Sequence, residues 1–173
     1  MEIFSHHQVT AVYPSLPCSS TFALEKLTAA APSVVSLFRE DDVVRIFLVD
    51  DNAMIRSQLR SALERQDDWV VVGEAEDGRR AVESWSQLSP SLTVMDFVMP
   101  DMDGLEAGRQ LSRLHPDAPI LMVTIDPSRQ LEQEARKAGI KGLCRKSDLR
   151  ALFAAVEALL KGKTYFNWAS AAA

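Results

Sequence analysis

Cysteine is nearly absent: Cys18 and Cys144 stand far apart, and no Cys-x-x-Cys pair occurs. A disulfide framework and a cysteine-built metal or redox motif are thereby excluded. The three histidines, His6, His7 and His115, lack metal-ligand spacing. No apolar run approaches the roughly 20 residues of a membrane span. Met1 to Ser20 shows no basic cluster followed by an apolar run, so no secretory signal is read and a reducing cytoplasm is the expected compartment. Basic residues are not in excess: the formal net charge is -5, which argues against a nucleic-acid-binding surface. Glycine-rich phosphate cradles are missing too, both G-x-x-x-x-G-K-[ST] and G-x-G-x-x-G. There is no internal repeat, and low complexity is confined to the Ala-rich end.

What remains is a 173-residue chain that is 47% hydrophobic and 25% charged, enough for a real core in one ordinary domain plus an extension. Residues 1–42 hold Pro14, Pro17, Pro32 and a Ser-rich patch without sustained periodicity. They read as a mobile N-terminal extension, with a short helix over Phe22 to Ala31. From Val43 the texture changes. Val43 to Val49, Trp69 to Glu74, Leu92 to Met95, Ile120 to Val123 and Gly142 to Arg145 are short apolar runs suited to strands buried on both faces. Between them lie helical stripes: Ile55, Leu59, Ala62, Leu63; then Ala81, Val82, Trp85, Leu88; then Leu111, Leu114; then Leu131, Ala135, Ala138. The strongest stripe closes the series with Leu149, Leu152, Phe153, Val156, Leu159 and Leu160. Five strand–helix alternations predict an α/β fold with a doubly wound parallel sheet covered on both faces. In such sheets the functional crevice lies beyond the carboxyl ends of the strands.

The residues at those ends are Asp50 and Asp51, Asp96, Thr124 and Lys146. If the first and third strands are neighbours, three carboxylates share one pocket. Two like charges about 4 Å apart repel by roughly 4 kcal/mol at an effective dielectric near 20. A hard divalent cation relieves this, and magnesium suits a carboxylate, water and phosphate environment. Lys146 adds a positive charge for a phosphoryl group, Asp96 is a competent nucleophile, and Thr124 offers a hydroxyl donor.

Ile46 to Asn52, Val94 to Gly104 with its Asp-x-x-Met-Pro-x-Met-Asp-Gly string, Ile120 to Thr124 and Ala138 to Lys146 together resemble the receiver domain of two-component response regulators. The resemblance covers about residues 43–162, leaving 163–173 as a C-terminal tail. It implies a flavodoxin-like (βα)5 fold with five-stranded order 2-1-3-4-5. It further implies that Asp96 is the phosphoacceptor for a histidine kinase or phosphotransfer protein. Asp51, Asp96 and the backbone carbonyl of Val98 would bind Mg2+ (or Mn2+), with Asp50 acting mostly through water. Lys146 would pair with the phosphoryl group, Thr124 would hydrogen-bond it, and Pro100 and Gly104 would shape the loop. The implied class is a phosphoacceptor signalling protein, with self-phosphorylation and autodephosphorylation as its only chemistry. The responding surface would be the face of the fourth helix, fifth strand and fifth helix, used by a downstream partner or a homodimer.

Three departures from the family pattern matter. Leu143 replaces the frequent aromatic switch residue three positions before the lysine. Ser147 follows the lysine where many members have proline, as in the subgroup with helix-turn-helix outputs. Val98 puts an apolar residue two positions after the acceptor, and the resemblance implies that it and Asp126 border the water path and would tune the lifetime of the phosphorylated state. The stretch Gly162 to Trp168 is similar to the linker of regulators that continue into DNA-binding domains, but no such domain follows, so neither direct nucleic-acid binding nor membrane contact is expected. The alternatives are a degenerate receiver acting without phosphate, a truncated DNA-binding regulator, and a metal-dependent phosphatase, disfavoured by Val98 where a second Asp is usual. Asp50–Asp51–Asn52 also reads as a plain helix start. Asp101 to Gly104 reads as a turn, Asp67–Asp68 as a solvated loop, Cys144 as a half-buried strand position and Trp85 as core.

Overall fold

A computed structural model describes residues 43–167. The expected extension 1–42, with its helix and its histidines, and the end of the tail, including Trp168, lie outside them. The elements alternate as β1 (Val44–Val49), α1 (Ala53–Leu63), β2 (Trp69–Ala75), α2 (Gly78–Leu88), β3 (Leu92–Asp96), α3 (Gly104–Leu114), β4 (Ile120–Thr124), α4 (Arg129–Lys137), β5 (Gly142–Arg145) and α5 (Leu149–Leu160). The strands pair in parallel in the order β2-β1-β3-β4-β5. This is the expected flavodoxin-like arrangement.

The period-2 alternation of side chains divides the core between two faces. Ile46 and Leu48 join Leu59 and Leu63 of α1 and Leu152, Val156 and Leu159 of α5 in one layer. Phe47 and Val49 join Ala81 of α2, Leu111 of α3 and Leu131 and Ala135 of α4 in the other. Each helix opens on a short polar cap: Asn52, Asp77, Asp103, Ser128 and Asp148 accept main-chain N–H groups of the first turn. Among the described residues no helix is long and apolar enough to cross a membrane.

The helical stripes are shorter than the sequence predicts. Leu114 is 62% exposed, and Leu149 and Leu160 are also exposed. Each is the first or last residue of its helix. Asp67 and Asp68 are exposed, as expected. Trp85 is half-buried against the core and donates through Nε1 to Thr93 Oγ1 at 3.0 Å, which satisfies both polar atoms.

Cys144 differs from expectation. It is fully buried, and burial pushes its thiol up to about 12. The reason is that β5 is not an open edge. Tyr165 bridges to Gly142, its N–H donating to Lys141 O at 2.9 Å while its carbonyl accepts from Leu143 N–H at 2.7 Å. Phe166 packs on the other layer and lies 3.6 Å beneath the Arg136 guanidinium of α4. The chain after α5 therefore covers the sheet edge that would otherwise expose unpaired backbone.

Candidate functional site

The sheet register builds the site. Val49 is opposite Met95, so Asp50 leaves β1 beside Asp96, the last residue of β3. Asp96 is opposite Val123, which sets Thr124 next to it, and Thr124 is opposite Arg145, which delivers Lys146. Residues from four chain segments thus meet at one end of the sheet.

Asp50, Asp51 and Asp96 each place a carboxylate oxygen within 4.8 Å of the other two. Asp50 is 1% and Asp96 5% exposed, whereas Asp51 is open to solvent. Lys146 Nζ sits 2.6 Å from Asp50 Oδ2 and 2.7 Å from Asp96 Oδ2. The contact to Asp96 is a hydrogen bond. Asp50 Oδ2 is ion-paired but lacks a well-directed donor, while Oδ1 accepts from Asn52 N–H at 2.9 Å. Burial raises the Asp96 carboxyl above the ordinary carboxylate range, against the opposing pull of Lys146. Burial alone would lower Lys146, but its close contacts with the Asp50 and Asp96 carboxylates outweigh it and the ammonium is raised.

Among the described residues, three carboxylates face one ammonium, which leaves the pocket short of positive charge. A buried oxygen without a directed donor beside two further carboxylates is a donor set that fits a hard divalent cation. The space is present: a cleft of about 510 Å³ has Asp51, Asn52, Asp96, Val98 and Lys146 among its lining residues.

Other predicted residues fall around this centre. Val98 is largely exposed and lines the cleft. Thr124 is buried, and its carbonyl accepts from Lys146 N–H at 2.8 Å. Asp126 is exposed and does not line the cleft. Leu143 is fully buried in the layer beneath α4. Gly104 N–H donates to Phe97 O at 2.9 Å, and a Cβ at Gly104 would collide with the Asp96 carbonyl. Only glycine lets the loop after β3 fold back this tightly.

Two contributors were missed in the sequence. Asn52 is both the cap of α1 and the donor to Asp50, so the helix-start reading of this string holds alongside the acidic pocket. Arg56 Nη1 donates to Asp50 O at 2.6 Å. Its signal was a basic residue one turn into the helix that follows the acidic turn.

The family model for the response regulator receiver domain matches residues 46–157. This chain belongs to the response regulator receiver family. The receiver is 34% identical over 119 residues to the transcriptional regulatory protein YdfI of Bacillus subtilis (strain 168), covering 68% of this chain and 55% of YdfI. It is 35% identical over 97 residues to the chemotaxis protein CheY of Thermotoga maritima, covering 56% of this chain and 80% of CheY. Among solved structures, a LuxR-family two-component response regulator from Aurantimonas sp. SI85-9A1 superposes with a TM-score of 0.69 at 34% identity, covering 71% of this chain and 89% of that one. The chain spans about half the length of the transcriptional regulators it matches.

Proposed function

We propose that this receiver is a phosphorylation-dependent switch in a two-component phosphorelay. A carboxylate oxygen of Asp96 attacks the phosphorus of a phosphohistidine on a histidine kinase or phosphotransfer protein. The P–N bond breaks, and the imidazole nitrogen keeps the electron pair and takes up a proton. Lys146 stays beside the transferred group and offsets its charge. Thr124 donates its hydroxyl to a phosphoryl oxygen. Mg2+ (or Mn2+), held by Asp51, Asp96 and the Val98 carbonyl with Asp50 through water, would neutralise phosphoryl oxygens while bound. Val98, which lines the cleft, sets how readily water reaches the acyl phosphate. In this reading residues 43–162 are the receiver, 1–42 an extension and 163–173 a tail, and the compartment is the cytoplasm. The output is read from the face of α4, β5 and α5 by a protein partner or a second copy.

The observation that supports this most is the single ammonium of Lys146 between the buried carboxylates of Asp50 and Asp96 at an open cleft. Acetyl phosphate with magnesium is expected to add one phosphoryl group to the wild type, seen as a mass increase. Equal labelling of Asp96→Asn would sink the assignment.

A second reading, a phosphate-independent interaction module, has one supporting observation. Leu143 is fully buried, so the usual aromatic rotor is replaced by a core aliphatic. Beryllofluoride that leaves size-exclusion behaviour and partner binding unchanged would favour it.

A further inference from the structure

We infer that Arg56, neutralised by Glu74, is a positioning residue that sets the β1–α1 turn for cation binding at Asp50 and Asp51. The inference rests on the metal site of the proposed function and concerns residues outside the donor set.

Asp50 is the point where β1 leaves the sheet. Its N–H still donates to Ala75 O at 3.1 Å, but its carbonyl has passed the end of the ladder. Arg56 Nη1 takes that carbonyl at 2.6 Å. The carbonyl belongs to the peptide group that leads into Asp51, so holding it sets the plane from which Asp51 departs. Asp51 is exposed, and its placement depends on that peptide.

Arg56 is itself held. Its side chain is 14% exposed, and Nε donates to Glu74 Oε2 at 3.1 Å. Glu74 Oε1 accepts from Arg60 Nε at 2.7 Å, and Arg60 also pairs with Glu64. Glu74 directly precedes Ala75, so both grips on Asp50 originate at the same end of β2. The charges have a second consequence. A bare guanidinium beside an acidic pocket would oppose a divalent cation, and Glu74 cancels it. The pair fixes the turn without adding net positive charge. A turn ordered in advance loses less freedom when the cation binds. Groups that hold metal ligands from behind commonly govern affinity over about 10–100-fold.

The test is magnesium titration by calorimetry of wild type, Arg56→Ala, Arg56→Lys and Glu74→Gln, well below unfolding, with melting temperatures measured in parallel. Leu159→Ala in the α5 layer controls for lost stability alone. Arg56→Ala is expected to weaken magnesium binding on the order of tenfold. Arg56→Lys should recover part of the loss and Glu74→Gln should lose several-fold, while Leu159→Ala lowers the melting temperature at unchanged affinity. Folded Arg56→Ala with affinity within twofold of wild type overturns the inference, as does an equal loss in Leu159→Ala. If Arg56→Ala does not fold, unchanged affinity in both Arg56→Lys and Glu74→Gln overturns it. Wild type that binds no magnesium overturns the metal part of the proposed function as well, which separates the two failures.

Discussion

Lys146 Nζ donates to Asp96 Oδ2 at 2.7 Å across 50 positions of sequence, closing the pocket between β3 and β5. The same ammonium reaches Asp50, so one cation serves two buried carboxylates. Breaking a buried pair by removing one partner commonly costs about 3–5 kcal/mol, because the remaining charge is left uncompensated. Lys146→Ala is therefore expected to lose about 3 kcal/mol in urea denaturation at neutral pH. Magnesium should restore much of that loss and should raise the variant's melting temperature more than the wild type's. Equal magnesium shifts in both proteins would show that cation and ammonium do not share the site.

Asp96 gives a pH dependence of definite sign. Burial raises its folded carboxyl above the unfolded value, so the native state binds the proton more tightly. Its contribution is fully present below the unfolded carboxylate range and is lost as pH rises through the folded value. Asp96→Asn removes this loss. The variant should melt a few degrees above wild type at neutral pH, and the gap should narrow as pH falls below the carboxylate range. Differential scanning calorimetry of the two proteins across that range checks it, and a gap that widens on acidification contradicts it.

Gly104 closes tightly on Asp96, the last residue of β3. A Cβ there meets the Asp96 carbonyl, so backbone on both sides must shift. Gly104→Ala should cost about 2 kcal/mol by chemical denaturation. It should also slow labelling by acetyl phosphate, because the displaced atom belongs to the main chain of Asp96, the proposed acceptor. A variant as stable as wild type would refute the tight approach.

The segment after α5 is bound by sheet hydrogen bonds and by Phe166 beneath Arg136. Phe166→Ala should destabilise the fold by about 1–2 kcal/mol through lost burial and the cation–π contact. Arg136→Gln should cost less. A double-mutant cycle should give a coupling of about 0.5–1 kcal/mol. Additive losses would mean that the guanidinium and ring do not act together.

The sequence by itself determined the strand–helix alternation and the identity of the strand-end residues. Both signals are local: a short apolar run of four to seven residues marks a strand, and Asp50, Asp51, Asp96 and Lys146 follow directly from where those runs stop. Tertiary structure decided what periodicity cannot carry. It buried Asp50 and left Asp51 open, because β1 ends one residue before the first and two before the second. It exposed Leu114, Leu149 and Leu160, because a stripe shows which side of a helix is apolar but not which of its end residues find a neighbour to pack on. It buried Cys144 by returning the chain along β5, a contact between segments that share no local pattern. It also placed Arg56 on the Asp50 carbonyl, since a helical arginine's partner depends on the strand beside it, here the end of β2 that carries Glu74.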